Sequence, residues 1–419
     1  MLLNRRIIVG ICGGIASYKA VELVSRLQQA GALVDVILTE HAEEFVRPLT
    51  FSTMSHRPVF SDLWEPSGRA AETHIALAEA AELLAIVPAT ANTLAKLAHG
   101  IADNMLTAVA LATHAPLVAA PAMYRDMYTH AATQANLQVL RERGCWIVEP
   151  EVGRLASGAI GPGRLPETEV LLGAISMVLG RNGDLAGRHV VVTAGGTQEP
   201  IDPVRYVGNR SSGKMGFALA TEARDRGAQV ILISGPVALE TPYGIERRPV
   251  ETALQMRDAV FDALPGADAL IMSAAVADFR PEEPLAQKLK KEGGGAQIFD
   301  EQGGLSLHLV RNPDILGELA SADADRGQAG TKRQRSITRV GFAAETHDIE
   351  AYARSKLAAK RLDLLVANDV SRSDSGFGTE TNKVLLIHAN GVIEDLPVMP
   401  KTGVAAAIWD RIVPILGTG

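Results

Sequence analysis

The stretch IIVGICGGIASYK at residues 7–19 determines how the first part of this chain folds. Its first three residues are apolar and predict a buried strand, Gly13 and Gly14 predict a tight turn, and residues 16–29 have the periodicity of a helix. A second apolar run at residues 33–38 completes a strand–helix–strand unit. Because such units connect parallel strands, the stretch predicts an α/β fold with a parallel sheet.

The same pattern returns in the second half of the chain. Residues 181–187 (RNGDLAG) are polar and glycine-bearing, as linkers are, and an apolar strand with a new glycine pair follows at residues 190–196. We therefore predict two α/β domains, at residues 1–180 and 188–419, joined by that linker. Residues 321–336 are charged and glycine-bearing with almost no apolar side chain, and predict a flexible surface insertion.

The bulk composition excludes several classes of protein. The chain has 419 residues, an ordinary globular share of hydrophobic residues at 47%, and a net charge of −7. It has no Lys/Arg run of the kind that binds nucleic acid and no apolar stretch long enough to span a bilayer. Two cysteines, Cys12 and Cys145, are too few for a disulfide framework or a structural zinc site, so we expect reduced, buried thiols and a cytoplasmic location.

Four loops of the first half fall at the carboxyl ends of predicted strands, where open α/β sheets bind ligands. They are residues 13–19 (GGIASYK), Thr39, residues 88–93 (PATANT) and residues 120–123 (APAM). A glycine pair alone is equally typical of a plain tight turn, but the four loops together resemble the flavin-binding cysteine decarboxylases. The resemblance implies a flavodoxin-like fold that binds FMN. The residues it assigns to FMN are Gly13, Gly14, Ile15, Ser17, Thr39, Thr90, Ala91, Asn92, Thr93, Ala122 and Met123.

A histidine near a predicted helix start is the candidate acid–base group of the first half. A lone histidine in such a place is usually a surface or capping residue, but the resemblance places the catalytic histidine of the family at His74. The implied reaction is decarboxylation of 4′-phosphopantothenoylcysteine to 4′-phosphopantetheine, in which FMN takes up two electrons and returns them. An imidazole near neutral pH suits the proton transfers of that reaction.

The first half departs from the family pattern at two positions. Tyr124 stands where Asn is usual, and Ser157 stands where the proton-donating Cys of the substrate clamp is usual, although the flanking residues 153–155 and 161–167 still resemble the clamp. A serine hydroxyl is a far weaker acid than a thiol. We hypothesise that the proton comes from Tyr124, His74 or a bound water. The alternative is an active second half joined to an impaired decarboxylase.

Two consecutive motifs mark the second half: TAGGTQEPIDPVR at residues 193–205 and NRSSGKMG at residues 209–216. The Ser-Gly-Lys piece is not a Walker loop, since it lacks the first glycine and does not directly follow a strand. Together the motifs resemble phosphopantothenoylcysteine synthetases, which implies a Rossmann-like ligase domain. In the implied reaction, the carboxylate of 4′-phosphopantothenate attacks the α-phosphate of CTP, and the amine of cysteine then displaces CMP from the acyl-cytidylate. The resemblance gives Asn209 the conversion of that intermediate and Lys288 a role in catalysis.

The same resemblance assigns a nucleotide site and a Mg2+ site. Asp278 is the candidate Mg2+ ligand, and CTP rather than ATP follows from the likeness to bacterial members. Lys356 and Lys360 are one helical turn apart, so they share a face that the resemblance makes a phosphate clamp. The residues assigned to CTP are Met272, Ser273, Ala274, Asp278, Lys288, Asn312, Pro313, Asp314, Ile315, Phe342, Lys356 and Lys360.

Two rival interpretations make different predictions. A regulatory flavoprotein that binds partner proteins predicts loss of the catalytic histidine and decay of the second half, whereas His74, Asn209 and Lys288 are all present. An NAD-dependent oxidoreductase predicts a Gly-x-Gly-x-x-Gly spacing that the first loop lacks. We therefore expect small-molecule substrates and no nucleic-acid or membrane partner. The family likeness further implies a homo-oligomer, with decarboxylase halves in trimers or a trimer-based dodecamer and ligase halves in dimers.

Overall fold

The computed structural model describes residues 2–64, 73–155, 158–289, 306–328, 337–345, 349–369 and 378–416. These residues form two compact units, Met1–Arg181 and Asn182–Gly419, each built on its own sheet. No helix among the described residues is both long enough and apolar enough to span a membrane.

The first unit alternates strands and helices. Its strands are β1 (Arg6–Ile11), β2 (Leu33–Leu38), β3 (Val59–Phe60), β4 (Leu83–Ala89), β5 (Leu117–Pro121), β6 (Trp146–Ile147), β7 (Glu151–Arg154) and β8 (Ile160–Arg164). Its helices are α1 (Ser17–Gln29), α2 (Glu40–Glu43), α3 (Pro48–Ser55), α4 (Thr73–Ala80), α5 (Ala91–His99), α6 (Met105–Ala112), α7 (Arg125–Thr129), α8 (Ala131–Glu142) and α9 (Thr168–Gly180).

Six strands of the first unit form one parallel sheet in the order β3-β2-β1-β4-β5-β6. The strand order reverses between β1 and β4, which makes their carboxyl ends the switch point where such sheets bind ligands. Without the two-residue edge strand β3, the order is that of flavodoxin. On one face, side chains such as Ile8, Leu84 and Ile86 pack with helices α4, α5, α6 and α8 in one buried cluster. The predicted flavodoxin-like α/β fold is confirmed.

The second unit has its own set of elements. Its strands are β9 (His189–Ala194), β10 (Gln198–Pro200), β11 (Tyr206–Gly208), β12 (Gln229–Ser234), β13 (Glu246–Pro249), β14 (Ala269–Met272), β15 (Phe279–Pro281), β16 (Leu309–Arg311), β17 (Thr338–Glu345), β18 (Leu364–Asp369), β19 (Thr381–Asn382), β20 (Val384–His388), β21 (Ile393–Asp395) and β22 (Met399–Pro400). Its helices are α10 (Lys214–Asp225), α11 (Ala253–Ala263), α12 (Ile315–Gln328), α13 (Ile349–Ala359) and α14 (Lys401–Ile412), followed by a 3-10 turn at Val413–Ile415.

The large sheet of the second unit has the order β13-β12-β9-β14-β17-β18-β20-β21. Its first six strands are parallel, and the order reverses between β9 and β14 in the manner of a Rossmann sheet. Strands β20 and β21 complete it as an antiparallel hairpin whose turn includes Gly391 at a φ of 88°, a conformation that glycine adopts freely. The buried Trp409 of α14 donates a hydrogen bond from Nε1 to the carbonyl of Leu219, which ties α14 to α10. The predicted Rossmann-like fold is confirmed.

The structure differs from the sequence expectation at the charged segment of residues 321–336. Its first part, up to Gln328, continues helix α12 instead of forming an irregular insertion. Ala, Asp and Arg at residues 322–326 include good helix formers and no proline, so a polar stretch can extend a helix by two turns without an apolar face. Residues 329–336 lie outside the described part of the chain.

Candidate active sites

The glycine pair after β1 lies at the switch point of the first sheet, directly before α1. A Cβ built on Gly13 would lie 2.6 Å from the carbonyl carbon of His41, so the turn has no room for a side chain there. A Cβ built on Gly14 would meet no atom within 4 Å. Open space beside the N-terminus of a 13-residue helix suits a phosphate group, because the free amides and the helix dipole both favour an anion.

A chain of small polar side chains connects β1 to the start of α5. The thiol of Cys12 donates a hydrogen bond to Oγ1 of Thr93 (3.2 Å), and Thr90 Oγ1 lies 3.3 Å from the same atom. Thr90 also caps α5 by accepting a bond from the amide of Thr93. Burial raises the pKa of the Cys12 thiol, more than its hydrogen bonds with Thr93 and Thr90 lower it, so it remains a neutral donor. Sequence reasoning treated Cys12 only as a buried thiol and missed this connection, which has no local signal.

The remaining residues assigned to FMN surround the same edge. Ser17 is fully buried and donates from Oγ to the carbonyl of Gly14 (2.6 Å), which closes the first turn of α1. Thr39 follows β2 and bonds the carbonyl of Ile11 through both its amide (3.0 Å) and Oγ1 (3.3 Å). Ile15 and Asn92 are exposed, and Ala91 is half-buried. The structure therefore places the β1, β2 and β4 loops at one edge of the sheet.

The loop after β5 contacts the β7–β8 hairpin, which the family resemblance assigns to the substrate clamp. The amide of Ala122 donates to Ala89 in the β4 loop (3.1 Å), and the amide of Met123 donates to Gly163 in β8 (3.0 Å). Gly163 has a φ of 133°, and any Cβ there would overlap the Met123 carbonyl, so only glycine permits this approach. Tyr124, at the N-cap of α7, is 40% exposed. Ser157 lies outside the described residues.

His74 is the second residue of α4, and its side chain is half-buried. Helix α4 directly precedes β4 in the chain, and its residues Leu77 and Ala78 pack into the buried cluster of the first unit. His74 thus lies on the helix that leads into the switch-point strand β4.

In the second unit, the loops after β9 and β14 run side by side beyond the sheet. Thr193 Oγ1 accepts from the amide of Ala274 (3.1 Å), and Thr197 Oγ1 accepts from the amide of Ala277 (2.9 Å). Ser273 Oγ donates to the carbonyl of Thr193 at 2.5 Å. The buried hydroxyls of Thr193 and Thr197 therefore fix the backbone of residues 274–277. Met272 lies below them in the core.

Asn209 is held against this double loop. Its Nδ2 donates a hydrogen bond to the carbonyl of Val276 (3.0 Å), and the residue itself is exposed to solvent. A Cβ on Gly196 would lie 2.6 Å from the Asn209 carbonyl, and one on Gly216 would lie 2.6 Å from Ser273 Oγ. The glycines of both motifs are thus required for close packing of the loops with α10.

Two nucleotide candidates after β14 and β16 are also brought together. The amide of Asn312 donates to the carbonyl of Asp278 (2.8 Å), and its Nδ2 donates to Ala277 (2.8 Å). The Asp278 side chain is exposed. Among the described residues, no three His, Cys, Asp or Glu side chains converge as a metal cage. One exposed carboxylate fits Mg2+, which is commonly held by one or two carboxylates together with nucleotide phosphates.

Lys360, one of the two lysines of the proposed phosphate clamp, forms an ion pair with Asp314, another predicted site residue. Lys360 Nζ lies 3.1 Å from Oδ1 of Asp314, next to Pro313 and the buried Ile315 at the start of α12. The amide of Lys360 donates to the carbonyl of Lys356 (3.0 Å), so the two lysines are one turn apart, as the sequence predicts. Phe342 is half-buried and packs against the main core of the unit.

Lys288 lies away from Asn209 in the described residues. Its side chain is exposed on the segment after β15, and that segment crosses the turn between β10 and β11. Asn209 lies at the other end of the same hairpin. The three residues of β11 separate it from the turn, and three residues of strand span about 10 Å. The turn residues Asp202 and Arg205 hold the Lys288 segment, and sequence reasoning gave neither a role.

Comparisons with known proteins divide the chain into two parts near residue 181, where the two structural units also meet in sequence. A family model described as Flavoprotein matches residues 1–180, and one described as DNA/pantothenate metabolism flavoprotein C-terminal domain matches residues 185–415. The protein named coenzyme A biosynthesis bifunctional protein CoaBC of Bacillus subtilis strain 168 is 46% identical over 99% of this chain and 98% of its own. Its namesake in Vibrio cholerae is 42% identical over 98% of each chain. A crystal structure of the C-terminal domain of such a protein is 34% identical, with a TM-score of 0.44, and covers 57% of this chain and 100% of that one.

Proposed function

Because this chain belongs to the family of bifunctional coenzyme A biosynthesis proteins, we propose that its two units catalyse consecutive reactions. The second unit ligates 4′-phosphopantothenate to cysteine at the expense of CTP. The first unit decarboxylates the product, 4′-phosphopantothenoylcysteine, to 4′-phosphopantetheine. The observation that carries the proposal is that each unit has its own switch point, β1/β4 and β9/β14, and that loops bearing the family motifs follow β1 and β9.

The ligation needs positive charge near the nucleotide. A carboxylate must attack the α-phosphate of a polyanion, so cationic side chains and Mg2+ lower the barrier by offsetting the developing charge. We assign Lys356 and Lys360 to the phosphates, Lys288 to the first step, and Asp278 to Mg2+. The backbone of residues 272–274 and the Asn312 loop form the rest of the CTP site. Asn209, fixed through Val276, directs its amide toward the acyl-cytidylate.

The decarboxylation depends on how the first unit holds FMN and moves protons. When bound, FMN supplies the reversible two-electron oxidation that allows the substrate carboxylate to leave. The open space at Gly14 before α1 suits its phosphate, and the Thr39 and Thr90 loops flank the same edge. His74 transfers a proton at the substrate. Tyr124, with His74 or a water as the other candidates, donates the proton that completes formation of the product.

The test follows the two chemistries separately. Purified protein receives 4′-phosphopantothenate, cysteine, CTP and Mg2+, with release of pyrophosphate and CO2 measured in parallel. Both products are expected, in equal amounts once FMN is saturating. Pyrophosphate without CO2 would support the alternative of an impaired decarboxylase half. If the protein released neither pyrophosphate nor CO2, the proposal would be overturned.

Replacement of single residues separates the units further. Asn209→Ala should still release pyrophosphate but form little amide, whereas His74→Ala should form amide and release no CO2. ATP in place of CTP tests the nucleotide preference in the same assay. A variant that blocks ligation and also blocks CO2 release from added 4′-phosphopantothenoylcysteine would contradict the division of labour between the units.

We also propose a cytoplasmic homo-oligomer. The support for its location is that Cys12 and Cys145 are both free and buried, as in a reducing compartment. The support for assembly is the family likeness, which implies decarboxylase trimers, in a dodecamer, linked by ligase dimers. Native mass measurement of the full chain should give a multiple of three subunits, and a monomer would refute this assembly.

A further inference from the structure

The turn between β10 and β11 is organised by one buried carboxylate. Asp202 has a fully buried side chain. Its Oδ1 accepts from the amides of Val204 and Arg205, both at 2.8 Å, and its Oδ2 accepts from Nε of Arg205 at 2.9 Å. These bonds fix the turn and the Arg205 guanidinium together.

The same pair of side chains holds a segment that is distant in sequence. Asp202 Oδ2 accepts from the amide of Leu289 (3.1 Å), and Arg205 Nη2 donates to the carbonyl of Leu289 (2.7 Å). The amide of Leu285 donates to Ile201 in the same turn (2.9 Å). Both backbone groups of Leu289 are therefore occupied, and Leu289 directly follows Lys288.

The carboxylate of Asp202 is kept ionised. Burial by itself raises its pKa, but the hydrogen bonds from Arg205 and from the amides of Leu289, Val204 and Arg205 outweigh burial and hold the pKa well below its ordinary range. A charged acceptor forms stronger bonds than a neutral one. The hydrogen bond from the amide of Leu289 to the Asp202 carboxylate therefore persists at and around neutral pH.

We propose that Asp202 is a positioning residue for ligation: it fixes the backbone at Leu289 so that Lys288 projects toward the nucleotide from a defined point. Lys288 itself is exposed, and a long free side chain has many rotamers. Its reach is then set by the anchored backbone, and a displacement of about 1 Å at a reacting group can cost about 100-fold in rate. The inference rests on the proposed role of Lys288.

The experiment is a double-mutant cycle on pyrophosphate release from CTP and 4′-phosphopantothenate. Asp202→Asn keeps the size of the side chain but turns a donor toward Arg205 or Leu289. It should lower kcat for pyrophosphate release about 100-fold, with a smaller change in KM for CTP, and leave CO2 release from added 4′-phosphopantothenoylcysteine unchanged. In a protein that already carries Lys288→Ala, Asp202→Asn should lower kcat for pyrophosphate release little further, because Asp202 acts through Lys288. Hydrogen exchange at the Leu289 amide should quicken.

Asp225→Asn is the matched control. Asp225 is also a largely buried carboxylate paired with an arginine of the second unit. It is the last residue of α10, whereas the first residue of that helix, Lys214, belongs to the motif at residues 209–216. It should leave pyrophosphate release unchanged. If Asp202→Asn does not fold, Asp202→Glu, which retains the charge, replaces it and should show a partial loss with the same non-additivity.

The outcomes separate the inference from its premise. If Lys288→Ala releases pyrophosphate at the normal rate, the proposed role of Lys288 fails. If Lys288→Ala is impaired but Asp202→Asn is normal, or if the two losses multiply in the double variant, the positioning inference alone is overturned.

Discussion

The thiol of Cys12, at the end of β1, and Oγ1 of Thr93, in the first turn of α5, lie 3.2 Å apart across the switch point of the first sheet. The two residues are 81 positions apart in sequence. Their hydrogen bond joins the loops that we assign to FMN, so the shape of the cofactor site depends on it.

The first prediction removes this acceptor. Thr93→Val keeps the shape of the side chain but leaves the Cys12 thiol without its partner. We expect the first unit to lose about 1 kcal/mol in free energy of unfolding and to bind FMN more weakly. Denaturant titration and flavin fluorescence measure both. Thr113→Val is the control, since Thr113 Oγ1 donates to Ala78 at the other end of the unit's strands, and it should lower stability without affecting FMN.

The second prediction contrasts the two adjacent glycines. Gly13→Ala should destabilise the first unit by about 2 kcal/mol, because the new methyl overlaps His41. Gly14→Ala meets no atom, so its melting temperature should stay close to that of the unsubstituted protein while its FMN affinity falls. Equal FMN affinity in Gly14→Ala and the unsubstituted protein would show that this space does not hold the cofactor.

The third prediction concerns alkaline pH. Burial raises the pKa of the Cys145 thiol from 9.0 to about 12, with a smaller opposing effect of Arg141. The unfolded chain therefore ionises this thiol at lower pH than the folded chain, so folding favours the protonated form below pH 9 and loses that advantage as pH rises from 9 toward 12. Stability should decline by at most about 1.4 kcal/mol per pH unit over that window. Cys145→Ala should flatten this slope, measured by urea unfolding at several pH values.

The fourth prediction tests the phosphate clamp. Lys360→Met should raise KM for CTP about tenfold, because a hydrogen bond to a charged phosphate oxygen is lost, and the effect should shrink at high salt. Lys383→Met is the matched control, because Lys383 is paired with Asp395 at 3.2 Å and is similarly exposed, but it lies by the β20–β21 hairpin. A comparable KM increase in both variants would indicate a general charge effect and no clamp.

The fifth prediction addresses the proton donor of the decarboxylase. Tyr124→Phe should slow CO2 release or product reprotonation about 100-fold and leave pyrophosphate release unchanged. Full activity in this variant would leave His74 or a bound water as the proton donor.

The strand–helix alternation, the two parallel sheets and the glycine turns at their loops could all be predicted from the sequence. Apolar periodicity and turn residues are local properties, and strand–helix–strand units allow few topologies. The dipeptide Asn390-Gly391 between two apolar runs is likewise a local signal, which predicts the hairpin of β20 and β21. The extension of α12 to Gln328 was not predictable, because polar composition alone does not exclude a helix.

The contacts between groups that are distant in sequence could not be predicted in this way. Asp202 gives no sign in sequence that it will bind the amide of Leu289, and nothing local connects Cys12 with Thr93 or Asp314 with Lys360. A hydrogen bond forms only within about 3 Å and within a narrow angle, so its partners are fixed by the packing of whole elements and not by the residues beside them in the chain.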